Sequence, residues 1–270
     1  MPVAVAAQEV VLRYGSRVAL EASTFQIPTG AVTAIIGPNG SGKSTVLNAI
    51  AGLVEPSSGT LRLEGDPPVA YVLQSTKVNE ALHVTVREVV TMGRYASTGP
   101  YGRLRARDRD AVEAAMHRLN ITGLADRHLH ELSGGERQRV FVAQGIAQGH
   151  EVLLLDEPLT GLDLTSAHAI DEMIHEEQTA GRTVIMTTHD LAEARAADWA
   201  LLLAGRVVAA GPPTKVLTVE ALTEAYGPSL LHVHDGGFFL DDPAHQPVPG
   251  RHVHGERTIH AEPPSADEHG

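Results

Sequence analysis

The chain has 270 residues, 43% of them apolar, with 33 acidic side chains against 21 basic ones, enough length to bury the core of one large domain or two small ones. The formal charge of −12 argues against a protein built to hold nucleic-acid phosphates, and the lack of cysteine excludes disulfides, thiolate metal sites and cysteine nucleophiles. The longest apolar runs, such as Val152–Leu155 and Trp199–Ala204, fall far short of the ~20 residues that a membrane span needs.

At the N-terminus, Met1–Gln8 has neither the basic cluster nor the apolar length of a secretory signal, so the chain reads as soluble and intracellular. Short segments rich in β-branched residues or leucine predict strands at Val32–Ile36, Gly59–Leu63, Val69–Leu73, Val152–Asp156, Thr183–Thr187 and Ala200–Leu203. Helical spacing occupies Ser44–Gly52, Leu164–Ala180 and Leu191–Ala197 between them. That alternation predicts a largely parallel sheet covered by helices. From about Thr85 to Gly149 it stops, and Val86–Met92, Asp108–Leu119 and Glu136–Gln148 predict a helical subdomain inserted into the α/β core. The last 39 residues, from His232, hold 7 of the 15 histidines and 5 of the 16 prolines, with seven acids facing two arginines. The expected division is a folded domain over 1–230 and a histidine-, acid- and proline-rich tail over 231–270, disordered beyond Leu240.

Val32–Ile36 runs into Gly37-Pro38-Asn39-Gly40-Ser41-Gly42-Lys43-Ser44-Thr45, which opens a helix. Glycine, four residues, glycine, lysine and serine form the pattern of a phosphate-binding loop. Its glycines let successive N–H groups point inward around a polyphosphate, and the helix N-terminus adds positive potential at the same place. Lys43 is expected on the β- and γ-phosphates, and the Ser44 hydroxyl on Mg²⁺. Val152-Leu153-Leu154-Leu155-Asp156-Glu157 is an apolar strand ending in two carboxylates. Beside the loop, it would bring Asp156 near Mg²⁺ and Glu157 near the γ-phosphate, where Glu157 can take a proton from the attacking water. Strands that simply end in solvated acids are common, but the pairing of both elements in this order argues against that alternative. Leu132-Ser133-Gly134-Gly135-Glu136-Arg137-Gln138-Arg139 heads another helix and offers a second anion site: the Ser133 hydroxyl, exposed N–H groups at Gly134 and Gly135, and the helix dipole. One chain rarely needs two γ-phosphate cradles, whereas two chains facing head to tail do.

With that third motif, roughly residues 3–230 resemble the ATP-binding cassette (ABC) ATPases, whose signature reads Leu-Ser-Gly-Gly-Gln/Glu. The resemblance implies a P-loop NTPase (RecA-like) core with an antiparallel β subdomain and an inserted helical subdomain, using ATP and Mg²⁺. It further implies that Tyr14 stacks on adenine and that Gln74 touches Mg²⁺ and water while sensing the membrane subunit. Leu73 replaces the proline that often precedes this glutamine. Asp163, in Leu159-Thr160-Gly161-Leu162-Asp163, corresponds to an aspartate at the dimer interface, and His189 to the switch histidine on the γ-phosphate. An exposed strand tyrosine and an incidental strand-end histidine are the plainer alternatives for Tyr14 and His189.

A single cassette without a span implies permease subunits on other chains, a second copy to complete each ATP site, and a place on the inner face of the cell membrane. The stretch Thr85–Gly149 resembles the region that docks coupling helices of the permease. Val84–Tyr95 with Asp108-Arg109 resembles zinc and manganese importers and also their iron-siderophore, haem and cobalamin relatives. Asp156–Asp163 and Val142–Gly145 lean towards the free-ion group, whereas Gly211–Thr218 fits both. The expectation is the ATPase of a divalent-metal importer, zinc first, served indirectly by an extracytoplasmic metal-binding protein. A soluble nucleic-acid-associated cassette is the competing class, disfavoured by the acidic charge and the single short cassette. In the tail, His232/His234 and His252/His254 suit Zn²⁺, and both a zinc-buffering role and a merely solvated tail stay open.

Overall fold

Residues 2–73, 83–98, 103–227, 231–234 and 237–240 are described by a computed structural model, and the elements named below are those among them. The first half of the chain forms β1 (Val3–Tyr14), β2 (Arg17–Pro28), β3 (Val32–Ile36), α1 (Lys43–Ile50), β4 (Ser58–Leu63) and β5 (Val69–Val72). Three helices follow, α2 (Val86–Thr98), α3 (Ala106–Arg118) and α4 (Gly134–Ile146). The chain then alternates through β6 (Val152–Leu155), α5 (Leu164–Thr179), β7 (Thr183–Thr188), α6 (Leu191–Ala196), β8 (Trp199–Leu203) and β9 (Val207–Gly211). It continues with α7 (Pro213–Val216), α8 (Val219–Tyr226), β10 (Leu231–His234) and β11 (Gly237–Leu240). No helix among the described residues is long and apolar enough to cross a membrane.

The central sheet has the strand order β5-β6-β7-β3-β8-β9, parallel except for β9. The continuous apolar run Val152–Leu155 is buried along its whole length, which requires cover on both faces. Alternate side chains supply two separate cores. Ala34, Ile36, Leu153, Leu155, Val184 and Met186 face a core shared with the apolar sides of α2 to α6. Ile35, Val152, Leu154, Ile185 and Leu201 face the other, shared with α1 and the antiparallel sheet β2-β1-β4. The phosphate-loop helix α1 and the Leu132–Arg139 helix α4 therefore lie on opposite faces of one sheet.

A buried ionic knot fastens the helical part to the sheet. The Glu177 carboxylate on α5 is fully buried and accepts from His150 Nε2 at 2.7 Å and Arg182 Nη2 at 3.0 Å, with Arg118 Nη1 at 2.6 Å. Arg118 ends α3 and His150 follows α4, while Arg182 precedes β7. Burial pushes this carboxyl up, but the hydrogen bonds and charges of His150, Arg182 and Arg118 outweigh it and hold the group at about 2.

β10 and β11 pair antiparallel within the stretch that the sequence reading gives to the tail. Asp235-Gly236, the dipeptide between them, is among the strongest two-residue hairpin signals. The rest of the tail, including His252 and His254, lies outside the described residues.

Candidate functional site

β6, β7 and β3 are consecutive and parallel, so their C-terminal ends gather at one edge of the sheet. Open parallel sheets bind ligands at that edge. The loop leaving β3 passes so close to β8 that a Cβ on Gly37 would stand 2.2 Å from the Leu203 carbonyl oxygen. Ser41 N–H closes the turn onto the Pro38 carbonyl at 3.1 Å, next to Asn39 and Gly40. Gly42, at φ 101°, carries the chain into α1, where Thr45 is buried on the first turn. Lys43 is buried, and its Nζ donates to the carbonyls of Gly37 at 2.8 Å and Pro38 at 3.2 Å. Its ammonium group thus lies inside the curve of the loop, where a phosphate would compete for it.

A hydroxyl–carboxylate network joins the three strand ends. Ser44 Oγ donates to Asp156 Oδ1 at 3.1 Å, and Thr187 Oγ1 donates to the same oxygen at 2.6 Å. Thr187 Oγ1 also accepts the Glu157 N–H at 2.8 Å. Glu157 occupies left-handed backbone at φ 48°, rare for a residue with a Cβ. Its Oε2 stands 4.0 Å from His189 Nδ1. The corner that carries His189 is fixed on its far side: Asp190 N–H donates to Thr188 Oγ1 at 2.9 Å, and Asp190 Oδ1 accepts the Ala192 N–H at 2.6 Å. Ser44, Asp156, Glu157 and His189, expected from scattered motifs, are thereby collected at one place. Thr187 is the residue that motif reading passes over, since a threonine ending a buried strand carries no distinctive signal. Tyr71 is another: burial, then the neighbouring Asp156 charge, push its phenol up, and its hydroxyl has no hydrogen-bond partner among the described residues. Tyr14, 49% exposed, accepts a hydrogen bond from Asn48 Nδ2 at 3.1 Å, which sets its ring beside α1. Gln74 lies outside the described residues.

Ser133, Gly134 and Gly135 are built differently. Ser133 Oγ accepts the Glu136 N–H at 3.2 Å, and the Glu136 carboxylate accepts the Ser133 N–H at 2.8 Å, a reciprocal capping box. That backbone hydrogen bond is the main cause holding the Glu136 carboxyl low. A Cβ on Gly134 would meet open space, whereas one on Gly135 would stand 2.5 Å from both Asp163 Oδ2 and Ser166 Oγ. Asp163 caps α5, accepting the Ser166 N–H at 2.9 Å and the Ser166 hydroxyl at 2.9 Å, and these bonds lower its carboxyl. Within the chain, Asp163 is therefore a neighbour of the Ser133–Gly135 loop.

A family model described as ABC transporter matches residues 20–160, and the chain belongs to that family. It is 35% identical over 227 residues to the manganese transport system ATP-binding protein MntB of Listeria innocua, covering 82% of this chain and 95% of that protein. It is 38% identical to the zinc transport system ATP-binding protein TroB of Treponema pallidum, covering 83% and 87% respectively. It is 36% identical to the ferric enterobactin transport ATP-binding protein FepC of Escherichia coli, covering 84% and 89%. Among solved structures, a chain of an ABC transporter assigned to the metal-chelate type, in an inward-facing conformation, matches with TM-score 0.75 at 28% identity, covering 88% of this chain and 95% of that one. A dimeric post-hydrolysis ATP-binding cassette bound to ADP and Pi matches with TM-score 0.68 at 25% identity, covering 77% and 98%. The fold is that of an ABC ATPase with a P-loop NTPase core, and the chain is an ATPase coupled to transmembrane transport.

Proposed function

We propose that this ATPase energises a metal-ion importer with zinc as the transported ion. The convergence of Ser44, Asp156, Thr187 and Glu157 on one strand edge carries the catalytic part of the reading. Glu157 would accept the proton of the attacking water, and His189 would hold that water against the γ-phosphate. Lys43 would leave its loop carbonyls for the β- and γ-phosphates, and Tyr14 would stack on adenine. The Ser44 hydroxyl and the Asp156 carboxylate are hard oxygen donors 3.1 Å apart, a pair suited to Mg²⁺, with Gln74 as a further ligand and water contact. Mg²⁺ bound there would neutralise charge between the phosphates.

The opposite placement of α1 and α4 supports a second copy whose Ser133, Gly134 and Gly135 face the nucleotide held on the first copy's loop, with Asp163 between them. The dimeric cassette among the solved structures supports this arrangement. Permease subunits would dock on the α2–α4 side and hold the ATPase at the inner membrane face, fed from outside by a metal-binding protein.

The substrate reading rests on the relatives. The zinc system protein has 38% identity, against 35% for the manganese and 36% for the ferric enterobactin proteins. Metal accumulation in a strain lacking the gene tests it. Loss of zinc uptake that the gene restores is the expected result, and loss confined to manganese or to an iron chelate would replace zinc in the assignment.

A further inference from the structure

The corner that carries His189 is closed by a side chain outside the site described so far, Glu193 on the first turn of α6. β7 ends at Thr188, one residue before the histidine. The Thr188 hydroxyl accepts the Asp190 N–H at 2.9 Å, so the side chain before His189 bonds the backbone after it. The same hydroxyl donates to Glu193 Oε2 at 2.6 Å. A threonine hydroxyl has one proton and two lone pairs. With the proton committed to the carboxylate, a lone pair faces the Asp190 N–H. Without that acceptor the proton turns towards water and carries the lone pairs round with it.

An ordinary helix cap does not account for this arrangement. Asp190 is the N-cap of α6 and Glu193 the third residue of the helix, the spacing at which a carboxylate takes the N-cap N–H directly. Here the Thr188 hydroxyl stands between the two, and the enlarged ring of bonds encloses His189. The carboxylate is also held at a cost. Burial pushes the Glu193 carboxyl up, the Thr188 hydrogen bond opposes the shift, Asp190 and Asp171 add to it, and His189 counters it. The helix does not depend on this link for its seat, because Leu191 and Ala194 are buried in the core on their own account. On the open side of the corner, His189 Nδ1 lies 4.0 Å from Glu157 Oε2.

We propose that Glu193 is a positioning residue for ATP hydrolysis: through the Thr188 hydroxyl it fixes the turn that carries His189, and with it the place of the imidazole beside Glu157. The effect on turnover rests on the role given to His189 above, whereas the restraint on its ring does not. In the sequence an acid at this position reads only as a charge matched to a helix dipole.

The test follows ATP binding, single-turnover hydrolysis and the His189 imidazole NMR signals in the full chain. Glu193→Ala is expected to shift those signals and to slow hydrolysis roughly tenfold, part of the hundredfold that about an ångström of misplacement costs, with ATP affinity unchanged. Glu193→Gln, whose amide oxygen still accepts from Thr188, should restore both readouts. Thr188→Val cuts the same link from its other end, should match Glu193→Ala, and takes its place if that variant does not fold. His189→Ala/Glu193→Ala should hydrolyse no more slowly than His189→Ala alone, whereas a carboxylate that merely steadied α6 would add its loss in either background. Unmoved His189 signals, or a loss that adds in full to that of His189→Ala, would overturn the positioning role. Hydrolysis at the parent rate in Glu193→Ala, with His189→Ala slow, would overturn it too. Normal hydrolysis in His189→Ala would instead remove the histidine from turnover and leave the restraint on its ring standing.

Discussion

The two glycine-containing loops that head α1 and α4 stand on opposite faces of one sheet and are finished to different degrees. Around the phosphate loop, groups from β3, β6 and β7 are already assembled, with Thr187 bonded to Asp156 and to the backbone of Glu157. Around Ser133, the N–H groups of Ser133 and Glu136 are taken up by the helix's own cap, in which the hydroxyl oxygen accepts and keeps its O–H to donate. What that loop leaves open is the space over Gly134. The chemistry of the phosphate side is thus assembled within the chain, whereas at Ser133 the chain completes only its own helix cap and leaves open space over Gly134.

The comparison can be broken most severely at Glu157. Glu157→Gln keeps the backbone and the phosphate loop, so nucleotide binding should persist while phosphate release falls about a thousandfold. Equilibrium ATP binding and single-turnover hydrolysis measure the two separately, and near-normal hydrolysis would remove Glu157 from the role of base. Next in size is the Glu177 knot, which holds the face bearing Ser133 to the sheet. Its folded-state carboxyl lies at about 2, below the ordinary 4.5, so the stability it contributes is present above pH 4.5 and lost as pH falls towards 2. That contribution is on the order of 3 kcal/mol, and urea midpoints across this range should shed their acid limb in Glu177→Gln.

Gly135→Ala forces a Cβ onto Asp163 and Ser166 and should cost about a hundredfold in turnover, with ATP binding by the separate chain unchanged. Mixing it with Lys43→Ala should regain activity, because each mixed pair holds one intact loop facing one intact Ser133–Gly135. No recovery would mean that the two faces do not serve each other. The smallest effect is expected at Thr187. Thr187→Val removes the hydroxyl bridge between Asp156 and Glu157 for a loss of about tenfold, which Thr187→Ser should restore.

Much of this was legible in the sequence because the chemistry sits in contiguous runs. Residues 37–45, 152–157 and 132–139 each declare themselves over a few positions, and the strands β3 and β6 that go with the first two are short, apolar and followed by a glycine or an acid. Strands β1 and β2 were harder, since the register shifts of a 12-residue irregular pair break the two-residue alternation on which strand reading depends. Pairings across long separations were not legible at all. Arg118 and His150 with Glu177 are ordinary residues until the fold brings them together. Thr187 belongs with them, for its value lies in two neighbours from another strand.

Glu157 holds its carboxylate on left-handed backbone, φ 48°. Glycine or asparagine adopts that conformation more cheaply than glutamate, by about 1 kcal/mol. A selection for heat tolerance alone should therefore drift towards those residues at 157 and yield sturdier proteins without a carboxylate beside His189. With Glu157 as the proposed base, durability and turnover would compete at this position.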